Sequence, residues 1–322
     1  MITTPTVSVL GAGASCPYGF PTAKQLKNRI CEVFASRTPA IRLLGDNVAP
    51  AEKFLEFREA FWKSGTASVD AFLEGRPEFL DVGKFAIAYC LIPLENESTL
   101  FAPPLHDSGD WYGYLSERLN PSFDEFEHNK LSIVTFNYDR SLEHYLFTSL
   151  LNWHGKSVDD CIEKFAKLPI IHVYGQLGKI PYPQRGCRQY LPLGEDVEKE
   201  PGAVVGASQG ITLLHEKESE LREVHNLLTA AERVCFLGFS YNPLNLARLQ
   251  LKGDTVIKRE VFGTARHFEK SEIGQTERHL SSTLLCGRVI LDDRTTLPFF
   301  VVIRYWARLR ISTFTKSARA KD

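Results

Sequence analysis

Four clusters of side chains in this chain have types and spacings that could do chemistry. The first is Gly11-Ala12-Gly13-Ala14-Ser15, a run of small residues directly after the apolar segment Val7 to Leu10. Small residues after a buried strand let backbone N–H groups approach a phosphate, and a helix beginning near Thr22, behind Pro21, would add its positive end. The second is Asn137 and Asp139, which follow the apolar run Ser132 to Phe136. Two positions apart on an extended segment they project to the same side. An amide there can bond a hydroxyl or a water while staying neutral, and a carboxyl can accept a proton donor and stabilise developing positive charge. The same pair can equally form an Asx turn that caps the next helix. The third is His172, two residues before Tyr174-Gly175, and the fourth is Gly238, Ser240 and Asn242 after the apolar run Arg233 to Phe239.

Every cluster stands at the end of an apolar run, and the intervening segments read as helices. Ala23, Leu26, Ile30 and Val33 recur at helical spacing, as do Leu142, Tyr145, Leu146 and Leu150, and again Leu221, Val224, Leu228 and Ala231. Strand alternating with helix argues for a parallel sheet covered on both faces, with ligands beyond the carboxyl ends of its strands. Residues 39–120 break the alternation with phenylalanine-rich helical patterns and read as an insertion placed to cover the site. Phe54, Phe57, Phe61 and Trp62 form one apolar face within it. Ala203 to Val205 read as a short strand, and residues 176–202 as a loop over the site. His154 reads as a loop residue. Val256 to Ala265 and Arg288 to Leu291 read as further strands, and a basic tail follows from Arg304.

Composition narrows the class. A net charge of −1 over 322 residues gives no general attraction to nucleic acid or membrane, and no direct nucleic-acid binding is expected. No apolar run approaches the ~18 residues needed to cross a bilayer. The seven cysteines contain no C-x-x-C pair, so neither a zinc module nor a disulfide framework is indicated. Together with the lack of a signal-peptide pattern, this gives the expectation of a reduced, cytoplasmic protein.

With GAGAS at 11–15 (continued by Gly19-Phe20-Pro21-Thr22), TFNYDRSLE at 135–143, IIHVYGQLG at 170–178 and FLGFSYNPLN at 236–245, the chain resembles the sirtuin-like family in four motifs. The likeness is greatest to its bacterial branch of NAD-consuming antiphage-defence domains. It implies a doubly wound, mostly parallel Rossmann-like α/β sheet with a helical insertion. The core would comprise residues 1–38 and 121–265, the insertion 39–120, and a C-terminal segment 266–322. The resemblance also implies NAD+ as a substrate rather than a prosthetic group, no zinc, and cleavage to nicotinamide and ADP-ribose. Gly11, Ala12, Gly13, Ala14, Ser15, Pro21, Thr22, Gly238, Ser240 and Asn242 would bind the dinucleotide, with Asn245 a further ribose contact. Asn137, Asp139 and His172 would be catalytic. Partners would be further copies of the chain or a second defence protein, for example an ATPase/helicase or an Argonaute-like sensor.

The sequence departs from the family at one point. The histidine expected directly before the glycine is Tyr174 here, and His172 lies two residues earlier. That leaves two expectations: a hydrolase that uses His172, or a catalytically silent module that binds NAD or ADP-ribose and reports it to a partner. A dehydrogenase is disfavoured because Cys16 stands where a dinucleotide fingerprint wants glycine.

Overall fold

The computed structural model describes residues 1–35, 41, 48–102, 109–178, 188–190, 201–212, 218–251 and 257–293. Within them β1 (Thr6–Leu10), β2 (Leu131–Thr135), β3 (Ile170–His172), β4 (Arg233–Leu237), β5 (Ile257–Thr264) and β6 (Cys286–Asp292) form one sheet. The order is β3-β2-β1-β4-β5-β6 and every pairing is parallel. All five residues of β1 are buried, as a central strand covered on both faces requires. This is a Rossmann-like α/β fold.

The topology places the site. The chain starts at the centre, moves out through β2 and β3, then returns to the other side of β1 as β4. Ligands in such sheets sit at the carboxyl ends beside this reversal. The register sharpens the point: Leu10 pairs with both Thr135 and Leu237, so Gly11, Phe136 and Gly238 leave the sheet at one level.

Helix α1 (Ala23–Val33) begins where the sequence places it. Thr22 accepts the Gln25 N–H at 3.3 Å, and the Gln25 side chain accepts the Thr22 N–H at 2.8 Å, a reciprocal cap. The stretch between α1 and β2 carries α2 (Ala51–Lys63), α3 (Val69–Gly75), α4 (Leu80–Leu91), α5 (Glu97–Leu100) and α6 (Trp111–Leu119). Phe34, Phe54, Phe57, Phe61, Phe72, Phe79 and Phe85 hold these helices together through ring contacts such as Phe61–Phe72 at 5.0 Å. Trp62 lies off this face and is exposed, with the Arg58 guanidinium 4.5 Å over its ring.

Beyond β2 come α7 (Ser141–His154), α8 (Val158–Phe165), α9 (Pro201–Gln209), α10 (Glu218–Ala230), α11 (Pro243–Arg248) and α12 (Lys270–Thr283). Two expectations need correction. Ala203 to Val205 belong to α9, which packs on α4 with Val204 and Ala207 buried; a run of three apolar residues does not separate strand from buried helix. His154 closes α7 rather than standing in a loop. The further strands expected around 256–265 and 288–291 are present as β5 and β6, which pair with each other. Most of 176–202 and the tail from residue 294 lie outside the described residues. No described helix is long and apolar enough to cross a membrane.

Candidate functional site

The small-residue loop is first of all a seam between two strand ends. Gly11 N–H donates to Leu237 O and Gly13 N–H donates to Gly238 O, both at 3.0 Å. Gly238 has φ +57°, and a Cβ on it would overlap the Ala14 nitrogen. A Cβ on Gly13 would lie 2.9 Å from Gly238 Cα, so a side chain there would disturb the seam before it met any ligand. The amides of Ala14 and Ser15 bond back to Gly11 O and Ala12 O. The Ala12 N–H finds no acceptor among the described residues. The expected cradle therefore reduces to one loop amide plus the N-terminal end of α1.

Above the seam lies a cleft of about 660 Å³. Its walls come from the ends of β1, β2, β4 and β5, from α1, and from the segment that starts α3. Of the residues expected to bind, Gly11, Ala12, Gly13, Pro21 and Thr22 line it, as do Gly238, Ser240 and Asn242. Ala14 and Ser15 do not. Both are buried under the loop, where the Trp111 indole N–H donates to Ala14 O at 2.8 Å. Two of the lining side chains are spent on caps: Thr22 on α1, and Asn242, which accepts the Leu244 N–H at 2.9 Å, on α11.

Asn137 and Asp139 both reach the cleft. The Asn137 Nδ2 donates to Gly11 O at 3.1 Å and to Ser15 Oγ at 3.0 Å. A carbonyl can only accept, so this contact fixes which end of the amide is which. Oδ1 is left buried and without a partner. Asp139 accepts the Ser141 N–H at 3.2 Å and the Ser141 hydroxyl, forming the turn into α7 while also lining the cleft. Burial, reinforced by Glu143, raises its pKa above the ordinary carboxyl value.

His172 is not part of the wall. Its Nδ1 donates to Asn137 O at 2.9 Å and its Nε2 meets the Glu143 carboxylate. Burial lowers its pKa, but Glu143 and the Asn137 carbonyl outweigh that and the net shift is upward. In this geometry His172 positions the Asn137 backbone and has no nitrogen left for a substrate. The expectation of a catalytic base at His172 is corrected accordingly. β3 ends at His172, so strand alternation does not extend to Tyr174. Instead Gly175 turns at φ +70° against Gly210 and Thr212. Tyr174 lines the cleft, and its hydroxyl donates to Asn245 Oδ1 at 2.7 Å. The Arg248 guanidinium lies 5.0 Å over its ring and also donates to Asn245 Oδ1, at 3.0 Å.

Several lining residues had no sequence signal. Asp70 comes from the start of α3, Thr264 ends β5, and Arg266 and His267 follow it. Lys24 and Arg266 are exposed at the cleft and give it two cations. Cys16 also lines it; burial pushes its thiol up to about 11, and it donates to Ala12 O. Among the described residues no group of three or more His, Cys, Asp and Glu side chains is arranged to hold a metal. No protein-family model matches the chain, and no curated protein is significantly similar to it.

Proposed function

We infer that the chain is an NAD+ hydrolase that splits the bond between nicotinamide and ribose to give nicotinamide and ADP-ribose. The observation that carries this reading is Asn137, whose donor is tied to the loop and whose acceptor stands unpartnered where β1, β2 and β4 end. A buried acceptor without a partner is costly and calls for a donor from a ligand. The four ordered motifs that resemble sirtuin-like NAD-consuming domains support the same substrate.

The residues present suit that substrate. The Ala12 N–H, the N-terminal end of α1, Lys24 and Arg266 suit a diphosphate. Loss of nicotinamide leaves an oxocarbenium-like ribose, so the protein must hold the sugar and stabilise positive charge. Asn137 Oδ1 accepts a hydrogen bond from a ribose hydroxyl or from the attacking water. Asp139 offers a carboxyl whose ionised form is favoured by the cationic nicotinamide ring.

A hydrolase running freely would exhaust the cofactor of its own cell. The reading therefore includes gating by self-association or by a second protein, as an effector in antiphage defence. The test is to incubate the full chain with NAD+ and follow nicotinamide and ADP-ribose over a range of protein concentrations. Release that rises faster than protein concentration is expected. Binding of NAD+ with no nicotinamide at any concentration would instead favour a silent sensor, and absence of binding would refute both.

A further inference from the structure

We propose that Asp70, supplied by the helical insertion, is the general base of the cleft and takes the proton of the attacking water. The assignment rests on the reading of the cleft as an NAD+ hydrolase and adds the group that reaction lacks. In the step, water oxygen bonds to ribose C1′ and one of its protons moves to an Asp70 carboxylate oxygen. The C1′–N1 bond breaks, and its electron pair stays on the ring nitrogen as nicotinamide leaves neutral. Asp70 then returns the proton to solvent. No general acid is needed, because a neutral pyridine requires no proton to depart.

The other lining groups are unsuited to the task. Tyr138 and Tyr174 are phenols, and Lys24 carries a charged amine with no lone pair. Cys16 stays a thiol at neutral pH. Asp139 holds the Ser141 amide and hydroxyl on Oδ1, and its carboxylate is already assigned to stabilising the positive charge of the reacting ring and sugar. His267 follows β5, three strand positions across the sheet from β2. His172 lies behind the wall.

One Asp70 oxygen accepts the Ser68 hydroxyl at 3.2 Å, and the other, Oδ1, has no partner. Asp70 lines the cleft together with Tyr174, which stands where the resembling family carries histidine. The charged groups facing it are Arg248 from α11 and Glu74 from its own helix, and these two pair with each other. Burial is therefore only partly offset, and the carboxyl is raised to about 7. A base with that value is half ionised at neutral pH, which suits proton transfer there.

The test measures nicotinamide release by the full chain between pH 5.5 and 9, at a protein concentration where the parent is active. For the parent, the rate should rise about tenfold per pH unit below about 7 and then level. Asp70→Asn should lose about 100-fold or more and the rise with it, while still binding NAD+. Formate should restore part of the rate of Asp70→Ala, which a merely structural role would not allow. Should Asp70→Asn fail to fold, Asp70→Glu decides: a base displaced by one methylene must slow the step, and an unchanged rate overturns the assignment. Parent-like rate and pH profile in Asp70→Asn would also overturn it while leaving the hydrolase reading intact. A parent that binds NAD+ but never releases nicotinamide would overturn both.

Discussion

Asn137→Ala separates the two ends of one side chain. The Nδ2 end makes two hydrogen bonds, at 3.1 and 3.0 Å, and each contributes ~1 kcal/mol net. Gly11 O keeps the Ala14 N–H at 2.9 Å, and Ser15 Oγ keeps Tyr112 at 3.5 Å, so truncation orphans neither acceptor. Removing the unpartnered Oδ1 also relieves its own burial cost. The expected loss of stability is therefore about 1–2 kcal/mol, a fall in Tm of a few degrees for a chain of this size. The Oδ1 end should matter far more to the rate. One preorganised contact to a developing transition state contributes about 3–4 kcal/mol, so nicotinamide release should drop 100- to 1,000-fold. NAD+ affinity should change by less than about 10-fold, because the contact strengthens in the transition state. Thermal melting, NAD+ titration and timed nicotinamide release read the three quantities separately. A folded variant within threefold of the parent rate would refute the reasoning. So would a rate loss matched by an equal loss of affinity, which would mean that the loop had collapsed.

The remaining predictions concern stability. Between about pH 4, where the unfolded chain releases the Asp70 proton, and about pH 7, where the folded chain does, the native state holds a proton the unfolded state has lost. Raising the pH across that window costs stability, so Tm of Asp70→Asn minus Tm of the parent should increase from pH 5 to pH 8; a flat difference would be contrary. Trp111→Phe removes the donor to the Ala14 carbonyl and should cost ~1–3 kcal/mol by denaturant unfolding, with weaker NAD+ binding because the loop above loses its support.

Much of the core was legible because each feature is written in local backbone demands. The reciprocal cap at Thr22 and Gln25 fixes where α1 starts. The alternation of apolar strands and amphipathic helices fixes a parallel sheet, and Gly13 and Gly238 mark where two strand ends must touch. What these glycines are for was less legible. Small residues after a strand read as a phosphate cradle, yet most of the amides here are bonded within the protein, and the seam itself demands the absent side chains. His172 misled for a related reason. Its place was inferred by carrying strand alternation forward to Tyr174, but β3 stops at His172, so the histidine faces Asn137 O and Glu143 while the tyrosine turns to Asn245.

Asp70 marks a different limit. Ser68 caps the start of α3, its side chain accepting the Ala71 N–H at 3.1 Å. Nothing local says that this start meets a sheet edge whose nearest motifs lie 48 residues before Asp70 and 65 residues after it. Its chemistry arises only when α3 is laid beside Tyr174 and Arg248, so that burial raises the carboxyl and the Arg248–Glu74 pair withholds the compensating charge. A sequence motif records what one segment asks of its own backbone. A titrating group records what several segments do to each other's solvent, and in this fold the second kind of information sits in the insertion, outside the four motifs that mark the core.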